Sequence, residues 1–414
     1  MTSIHVGVIT FDWYAFDPRV SRLVAAAVDA GYEVDLICLC QPREKRFELH
    51  NGVRIYRMPM SRGIGLSLPM TVLYWCCFLL LAAITITCLH LKHTYDVIQV
   101  HNMPDFLVFA TLFPKLLGAK IVLDVQDASP ELMAEKAKGK LQKIVILLAI
   151  WQERLTTIFA DHVVTIGWTV EELLLQRGVP KEKLTSIFNS ADPKIFPPSR
   201  RSFTPPACPN ELMPFILMYH GSVEERQGLD TAIRALALAR PIVPELRLDI
   251  KGFGEVFNLK QLAEELGVSD SVVFSNRCPV GEVVDFVVHG DVGIMPYRGN
   301  GYMELVLPTK AFEFAWMHRP MIASDTRGIR SMFRPESIAL CDASKPESFA
   351  AAIIDLYQHP EKRALMVEKA AEDYMAFRWE IQAEQYQKLL ASLSYKRLRE
   401  HLQNVKGSYN HLQR

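Results

Sequence analysis

The sequence carries no excess of either charge. Lys and Arg together number 46 and so do Asp and Glu, so the formal net charge is zero. That balance gives no global attraction to nucleic acid, and any basic patch has to be local. There is no CxxC pair either. The eight cysteines, at 38, 40, 76, 77, 88, 208, 278 and 341, stand mostly inside apolar runs. This argues against a disulfide framework or a zinc site and for reduced, buried thiols in a cytosolic protein. No signal peptide is expected, because MTSIHVGVIT lacks a basic leader and opens as a buried strand. No Asp-x-Asp pair follows a strand, so no metal site is expected.

What is present is globular. Half of the 414 residues are hydrophobic and 22% are charged, and the length predicts two or more domains. IHVGVIT (4–10), the helical pattern of 19–31 and YEVDLICLC (32–40) read as β-α-β. The strands are too apolar to be half exposed, which predicts a parallel sheet covered on both faces. YDVIQVHN (95–102), AKIVLDVQD (119–127), a long helix to about Ala160, DHVVTIG (161–167) and KLTSIFNSAD (183–192) continue the alternation. Residues 197–214 hold six prolines and no periodicity, as an interdomain linker would. FILMYHGS (215–222), LRLDIKG (246–252), SVVFSN (271–276), VGIMPY (292–297) and PMIAS (320–324) restart it. The expected fold is α/β, with two Rossmann-like, doubly wound parallel-sheet domains facing a central cleft. The boundaries are an N-terminal domain at 1–198, a linker at 199–214 and a C-terminal domain at 215–375. A crossover helix at 376–395 and a tail at 396–414 follow.

Two segments of the first half suit a membrane surface. Residues 64–91 contain no formally charged residue, a length that meets the rule for a spanning helix. Yet the segment lies between elements of one sheet, so a core-facing helix and a helix immersed in one leaflet are the competing readings. Residues 136–155 set Lys136, Lys138, Lys140 and Lys143 before an apolar run with Trp151, which reads as a basic end that attracts anionic lipid or as a solvated helix start.

Three strand-to-helix junctions in the second half carry candidate chemistry. In KGFGE (251–255), which holds Lys251 and Gly252 between a strand and a helix, glycines let the backbone approach a ligand and the helix N-terminus favours an anion, with a plain turn as the alternative reading. It is not a full dinucleotide fingerprint, since Phe257 fills the last glycine position. In YHGSVEERQGLD (219–230), Gly221 and Ser222 precede Arg226, whose guanidinium could grip a diphosphate or pair with Glu224 or Glu225. In LPTKAFEFAWMHRPMIASD (307–325), Pro308 and Thr309 suit a helix start. Lys310 and Glu313 then share one helix face, as an anion and ribose site or as a minor i, i+3 salt bridge.

Taken together and in order, G-S-V-x-x-R-x-G-L-D (221–230), K-G-F-G-E (251–255), V-F-S-N-R-C-P (273–279), D-V-G-I-M-P-Y (291–297), P-T-K-A-F-E-F (308–314) and R-P-M-I-A-S (319–324) resemble a GT-B-fold retaining glycosyltransferase of family 4. FDPRVSRLVAAAVDAGYEV, YDVIQVHNMPD, IVLDVQDASPEL, ADHVVTIG and IFNSADPKIF in the first half resemble that family too.

The resemblance implies roles. The second domain binds a nucleotide-sugar donor, with a UDP- or GDP-sugar expected and no cofactor or metal. The first domain binds a glycan or lipid-linked acceptor. Glu313 holds the ribose, Thr309 and Lys310 wrap the diphosphate, and the backbone of Arg277 and Cys278 meets the base. His101 lies near the transferred sugar, and Asp127 lies at the lip of the neighbouring strand. The expected location is cytoplasmic, at the inner face of the membrane. Ser222 and Gln227 stand where many members carry Arg and Lys, Gln126 where many carry His, and Leu305 where a first paired glutamate belongs, with Glu304 one place off. A sugar-nucleotide epimerase and a noncatalytic sugar-nucleotide-binding subunit are the alternative functions.

Overall fold

The computed structural model of the chain describes residues 3–61, 68–137, 139, 142–201, 214–276, 280–299 and 301–412. Arg277, Cys278, Lys138, Lys140 and most of the proline-rich linker (202–213) lie outside the described residues. The chain forms two compact units, Met1–Phe188 with Glu380–Arg414, and Asn189–Trp379.

Unit 1 is built on an eight-stranded sheet. Its strands are β1 (His5–Ile9), β2 (Glu33–Leu39), β3 (Phe47–His50), β4 (Val53–Met58), β5 (Val97–His101), β6 (Lys120–Val125), β7 (His162–Thr165) and β8 (Leu184–Ser186). Their order is β3-β4-β2-β1-β5-β6-β7-β8. All pairs are parallel except β3 with β4. The helices are α1 (Pro18–Asp29), α2 (Leu68–Lys92), α3 (Leu112–Leu116), α4 (Ser129–Lys136), α5 (Gln142–Phe159) and α6 (Trp168–Gln176). Strands β5 to β8 are added in one direction along the sheet, so right-handed crossovers set α2, α3, α5 and α6 on one face. The step from β1 to β2 runs the other way and sets α1 on the opposite face.

Unit 2 has a six-stranded parallel sheet in the order β11-β10-β9-β12-β13-β14. These are β9 (Phe215–Val223), β10 (Leu246–Gly254), β11 (Val272–Asn276), β12 (Val292–Met295), β13 (Met321–Ser324) and β14 (Ala339–Cys341). Helices α7 (Leu229–Ala239), α8 (Phe257–Glu265), α9 (Val280–His289), α10 (Thr309–Trp316), α11 (Arg327–Arg330), α12 (Pro346–Gln358) and α13 (Pro360–Tyr374) connect them. The chain then returns to unit 1 through α14 (Trp379–Leu412). There Gln382 accepts from the Phe188 amide, Tyr386 donates to Gln99, and Gln387 donates to the Ala26 carbonyl.

Several details differ from the sequence expectation. The unit boundary falls at Phe188–Asn189 and not at 198. Residues 190–196 are tied into unit 2, where Ser190 donates to the Phe377 carbonyl and Trp316 Nε1 donates to the Phe196 carbonyl. KGFGE does not turn after Gly252. β10 continues to Gly254 in register with Gly221–Val223 of β9. A Cβ on Gly252 would lie 1.8 Å from the Gly221 carbonyl oxygen, so glycine here permits two backbones to approach. The long helix expected before Ala160 is broken into α4 and α5. The expected tail continues α14 to Leu412. The short strands β3 and β14 had no distinct signal.

α2 is long and apolar enough to cross a membrane. One stripe of it, Phe78, Ala82, Ile86 and Leu89, nevertheless belongs to the core of unit 1. A helix attached to its own sheet along that length is a crossover of the domain, and an independent span is not what this packing describes. Its opposite stripe, including Leu73, Leu80, Ile84 and Leu91, is exposed.

Candidate active site

In an open α/β sheet, ligands bind beyond the carboxyl ends of the strands, where the order reverses. In unit 2 that point lies between β9 and β12. The first strand, β9, is flanked by β10 on one side and β12 on the other. The carboxyl end of β9 carries Gly221 and Ser222, the segment after β12 carries Pro296 and Tyr297, and α10 begins nearby.

Lys310, in the first turn of α10, is buried at 8% exposure. Its Nζ donates to the Tyr297 hydroxyl at 3.0 Å and sits 4.0 Å from the centre of the Tyr219 ring. Gly221 has φ +130°, and a Cβ there would lie 3.3 Å from Lys310 Nζ. The positive φ favours glycine at this position, and a Cβ would crowd the end of the Lys310 side chain. Burial disfavours the charged form and pushes the Lys310 ammonium down to about 7, with Glu313 opposing the shift. A buried cation with one neutral hydrogen-bond partner is poised to gain from an anion.

Glu313, one turn on, is equally buried. Its Oε2 lies 3.1 Å from His220 Nε2, and the His220 ring stands edge-on to Phe286 and Phe314. Lys310 and Glu313 are thus not an exposed i, i+3 salt bridge. Each is buried with a partner from a different strand or loop. Pro308 stands at the N-cap of α10 with no side-chain cap and Thr309 opens it. The Ala311 amide donates to the Pro308 carbonyl at 3.0 Å, which leaves the Thr309 and Lys310 amides without intrahelical acceptors.

Around this pair the departures from the family pattern have partners of their own. The Tyr219 hydroxyl lies 2.6 Å from the Ser222 carbonyl oxygen and 3.0 Å from Gln227 Oε1. Gln227 Nε2 donates to Ser222 Oγ at 3.3 Å. A neutral hydrogen-bonded group thus replaces two cations beside Lys310. Arg226 pairs with Glu224 at 2.8 Å and lies 5.4 Å from the centre of the Tyr302 ring, while its Nε and Nη1 are buried without a hydrogen-bond partner among the described residues. Gly228 has φ +66°, and a Cβ there would lie 1.8 Å from the Pro296 carbonyl oxygen, so this loop is pressed onto the segment after β12. Lys251 lies beside His220 in register, with its Nζ 5.7 Å from the Phe286 ring centre. Glu304 accepts from the Arg327 amide at the start of α11, and Leu305 is buried.

In unit 1 the order reverses between β1 and β5. His101 ends β5 and is 1% exposed. Its Nδ1 lies 2.7 Å from Asp124 Oδ2 and 3.1 Å from Gln126 Nε2, and its Nε2 lies 3.3 Å from Gln99 Nε2. Asp124 also takes two hydrogen bonds from Arg19, at 2.6 and 2.8 Å. Burial opposes ionisation of Asp124, but the charge and hydrogen bonds of Arg19 outweigh it and hold the carboxyl well below the usual range. Arg19 is placed by the start of α1, where Asp17 caps the Arg19 and Val20 amides.

Asp127 lies beyond the end of β6, and its backbone is held by the Asn102 side chain at both N–H and C=O. Asp124 thus puts a carboxylate directly against the His101 ring. Arg19, Asp124 and Gln99 in unit 1, and Tyr219, His220 and Tyr297 in unit 2, were not singled out from sequence. Their partners lie as far as 287 residues away, so no local spacing reports them.

Comparison with known proteins agrees with this architecture. Residues 17–189 match the model of the glycosyl transferase 4-like domain, and 205–373 match that of glycosyl transferases group 1. A D-inositol 3-phosphate glycosyltransferase of Thermobispora bispora is 24% identical over 383 residues, covering 87% of this chain and 85% of its own. Sucrose-phosphate synthase of Thermosynechococcus elongatus superposes with a TM-score of 0.76 at 17% identity, over 94% of this chain and 99% of that one. HepE of Anabaena, solved in complex with UDP and glucose, superposes at 0.70 and 16% identity, over 94% and 100%. None of these matches favours the epimerase or the noncatalytic subunit. The two halves carry these two glycosyltransferase domains in order, and the chain belongs to the GT-B glycosyltransferases of the family 4 type.

Proposed function

We propose that the enzyme moves a sugar, with retention of configuration and without a metal, from a nucleotide-diphosphate sugar to a glycan or lipid-linked acceptor. The observation that carries the donor half is the meeting of the Lys310 ammonium with the Gly221 backbone at the reversal point of unit 2. In this reading a diphosphate sits on Lys310 and the first amides of α10, with Arg226 adding charge, and this neutralises the leaving group. Glu313 accepts from the ribose hydroxyls. Arg277 and Cys278 meet the base. HepE was solved with UDP-glucose, which supports a UDP-sugar ahead of a GDP-sugar. His101 and Asp127 would serve the transferred sugar and acceptor from unit 1, with Asp124 and Arg19 fixing the His101 ring.

A lipid-linked acceptor, and peripheral contact with the inner face of a membrane, are supported by α5. Its outer stripe, Ile144, Leu147, Leu148, Trp151, Leu155 and Ile158, is exposed, while its buried face includes Glu153, Thr156 and Thr157. A helix that is apolar outward and polar inward is ordinary only when something apolar covers it.

The test is incubation of the purified chain with UDP- and GDP-sugars and a lipid or glycan extract, with and without EDTA. The expected product keeps the anomeric configuration of the donor by NMR, and chelation leaves the rate unchanged. A new sugar-nucleotide formed without acceptor would replace this reading with the epimerase. No turnover from any donor would leave the noncatalytic subunit in its place.

A further inference from the structure

α5 borders a cavity of about 500 Å³ in unit 1, walled on the apolar side by Ile150, Ile158, Val179 and Pro180 and on the polar side by Arg154 and Lys183. That is within the range of small-ligand sites. The wall comes from the second half of α5, which feeds β7, and from the turn after α6, which feeds β8. Both lie at the amino ends of the strands. His101 and Asp127 lie at the carboxyl ends, so the cavity is at the opposite end of the sheet from the strand-end cluster.

The charges of the cavity do not cancel. Glu153 is its acid, and it is met by Arg177 at 2.7 and 2.8 Å, with Glu131 as a second partner of Arg177. Burial pushes Glu153 up to about 7, which further reduces its negative charge. The Arg154 guanidinium has no hydrogen-bond or ion-pair partner among the described residues. Lys183 gives one hydrogen bond, to the Ile158 carbonyl at 3.1 Å, and burial lowers its ammonium against the nearby Asp161, which is itself paired with Lys115. Two cations thus face an apolar wall.

The surroundings are apolar as well. Leu112, Phe113, Leu116 and Leu117 at α3 and the outer stripe of α2 are exposed on the same face as α5. α2 and α3 contain no acidic residue, and the only one on α5 is Glu153.

We propose that this cavity seats the phosphate head group of an acidic membrane phospholipid. Arg154 and Lys183 hold the phosphate, and the chains leave along Ile150 and Ile158 toward the exposed stripe of α5. A free anion would have no use for the apolar wall, and a neutral lipid none for the two cations. The inference rests on the reading that unit 1 touches a membrane.

The test is flotation of the full chain with phosphatidylcholine vesicles, with and without phosphatidylglycerol. Phosphatidylglycerol is expected to tighten binding about 30-fold, the factor two well-placed cations supply. R154E/K183E is expected to lose that gain while keeping binding to phosphatidylcholine and the same melting temperature. K92E, a charge reversal at the end of α2 outside the cavity, is expected to lose much less. Equal loss in K92E and R154E/K183E, or no loss in the double variant, overturns the head-group seat and leaves the membrane reading standing. No flotation on either vesicle overturns the membrane reading, and the seat with it.

Discussion

Lys310 shows how one side chain can report on a ligand. Its ammonium is pushed down to about 7 by burial, so the fold prefers it neutral. The sign follows. This group costs the fold nothing above its unfolded pKa of about 10.4, and stability falls as pH drops from there toward 7. A diphosphate beside Lys310 would restore the charged form. At pH 8, calorimetry in buffers of different ionisation enthalpy should therefore show proton uptake on nucleotide binding, and Lys310→Met should abolish it. Uptake that survives in the variant would place the proton elsewhere.

Glu313 makes a separable prediction. Glu313→Ala should weaken donor binding by about 2 kcal/mol, ~30-fold, the scale of a hydrogen bond to a charged group. His220 keeps its packing on Phe286 and Phe314, so the melting temperature should move far less. Donor affinity equal to wild type would return the Lys310–Glu313 pair to a purely structural role. In unit 1, Asp124→Asn removes the partner of a buried Arg19. It should cost about 3–5 kcal/mol in urea unfolding. The depressed carboxyl makes that stability present above about pH 4 and lost in acid.

Elements explain which of these residues sequence could point to. Lys310 and Glu313 were readable because α10 follows a proline, carries both on one face and lies between two buried strands. Gly221 and Arg226 were readable as members of an ordered set of junctions. Tyr219, Tyr297 and Asp124 were not, because each gains its role from a strand or loop brought alongside by the sheet. Gly252 stood out as a glycine that lets the backbone approach a ligand, with a plain turn as the alternative, and the fold excludes the turn. It is a strand glycine that lets β10 approach β9. Gly252→Ala should destabilise unit 2 by about 3 kcal/mol, as overpacking against backbone does, and should lower donor affinity with it. Unchanged stability in chemical denaturation would show that the two strands can part. The apolar period of α5 was also legible, but not its direction. A sequence pattern gives the stripe, and only the fold shows that Ile144, Leu148 and Trp151 face outward while Glu153 faces inward. L148E/W151E should leave the melting temperature nearly unchanged and abolish flotation on vesicles. A strongly destabilised variant would mean that the stripe is packed within the protein.

At the scale of the whole molecule, the division into two doubly wound units was legible from the alternation of apolar strands and helices around a proline-rich break. The boundary itself was not, because the loop after the strand in 183–192 reads as part of the first half, yet residues 190–196 are fastened to unit 2 by Phe377 and Trp316. The function rests on the claim that unit 2 binds a nucleotide-diphosphate sugar. The most direct test is a thermal-shift series of the full chain against UDP-, GDP- and ADP-sugars, beside Glu313→Ala. One donor class at a hundred times its dissociation constant should add about 2.7 kcal/mol to wild-type stability, with a smaller gain in the variant at the same concentration. Equal melting temperatures with and without every nucleotide-sugar would contradict the account.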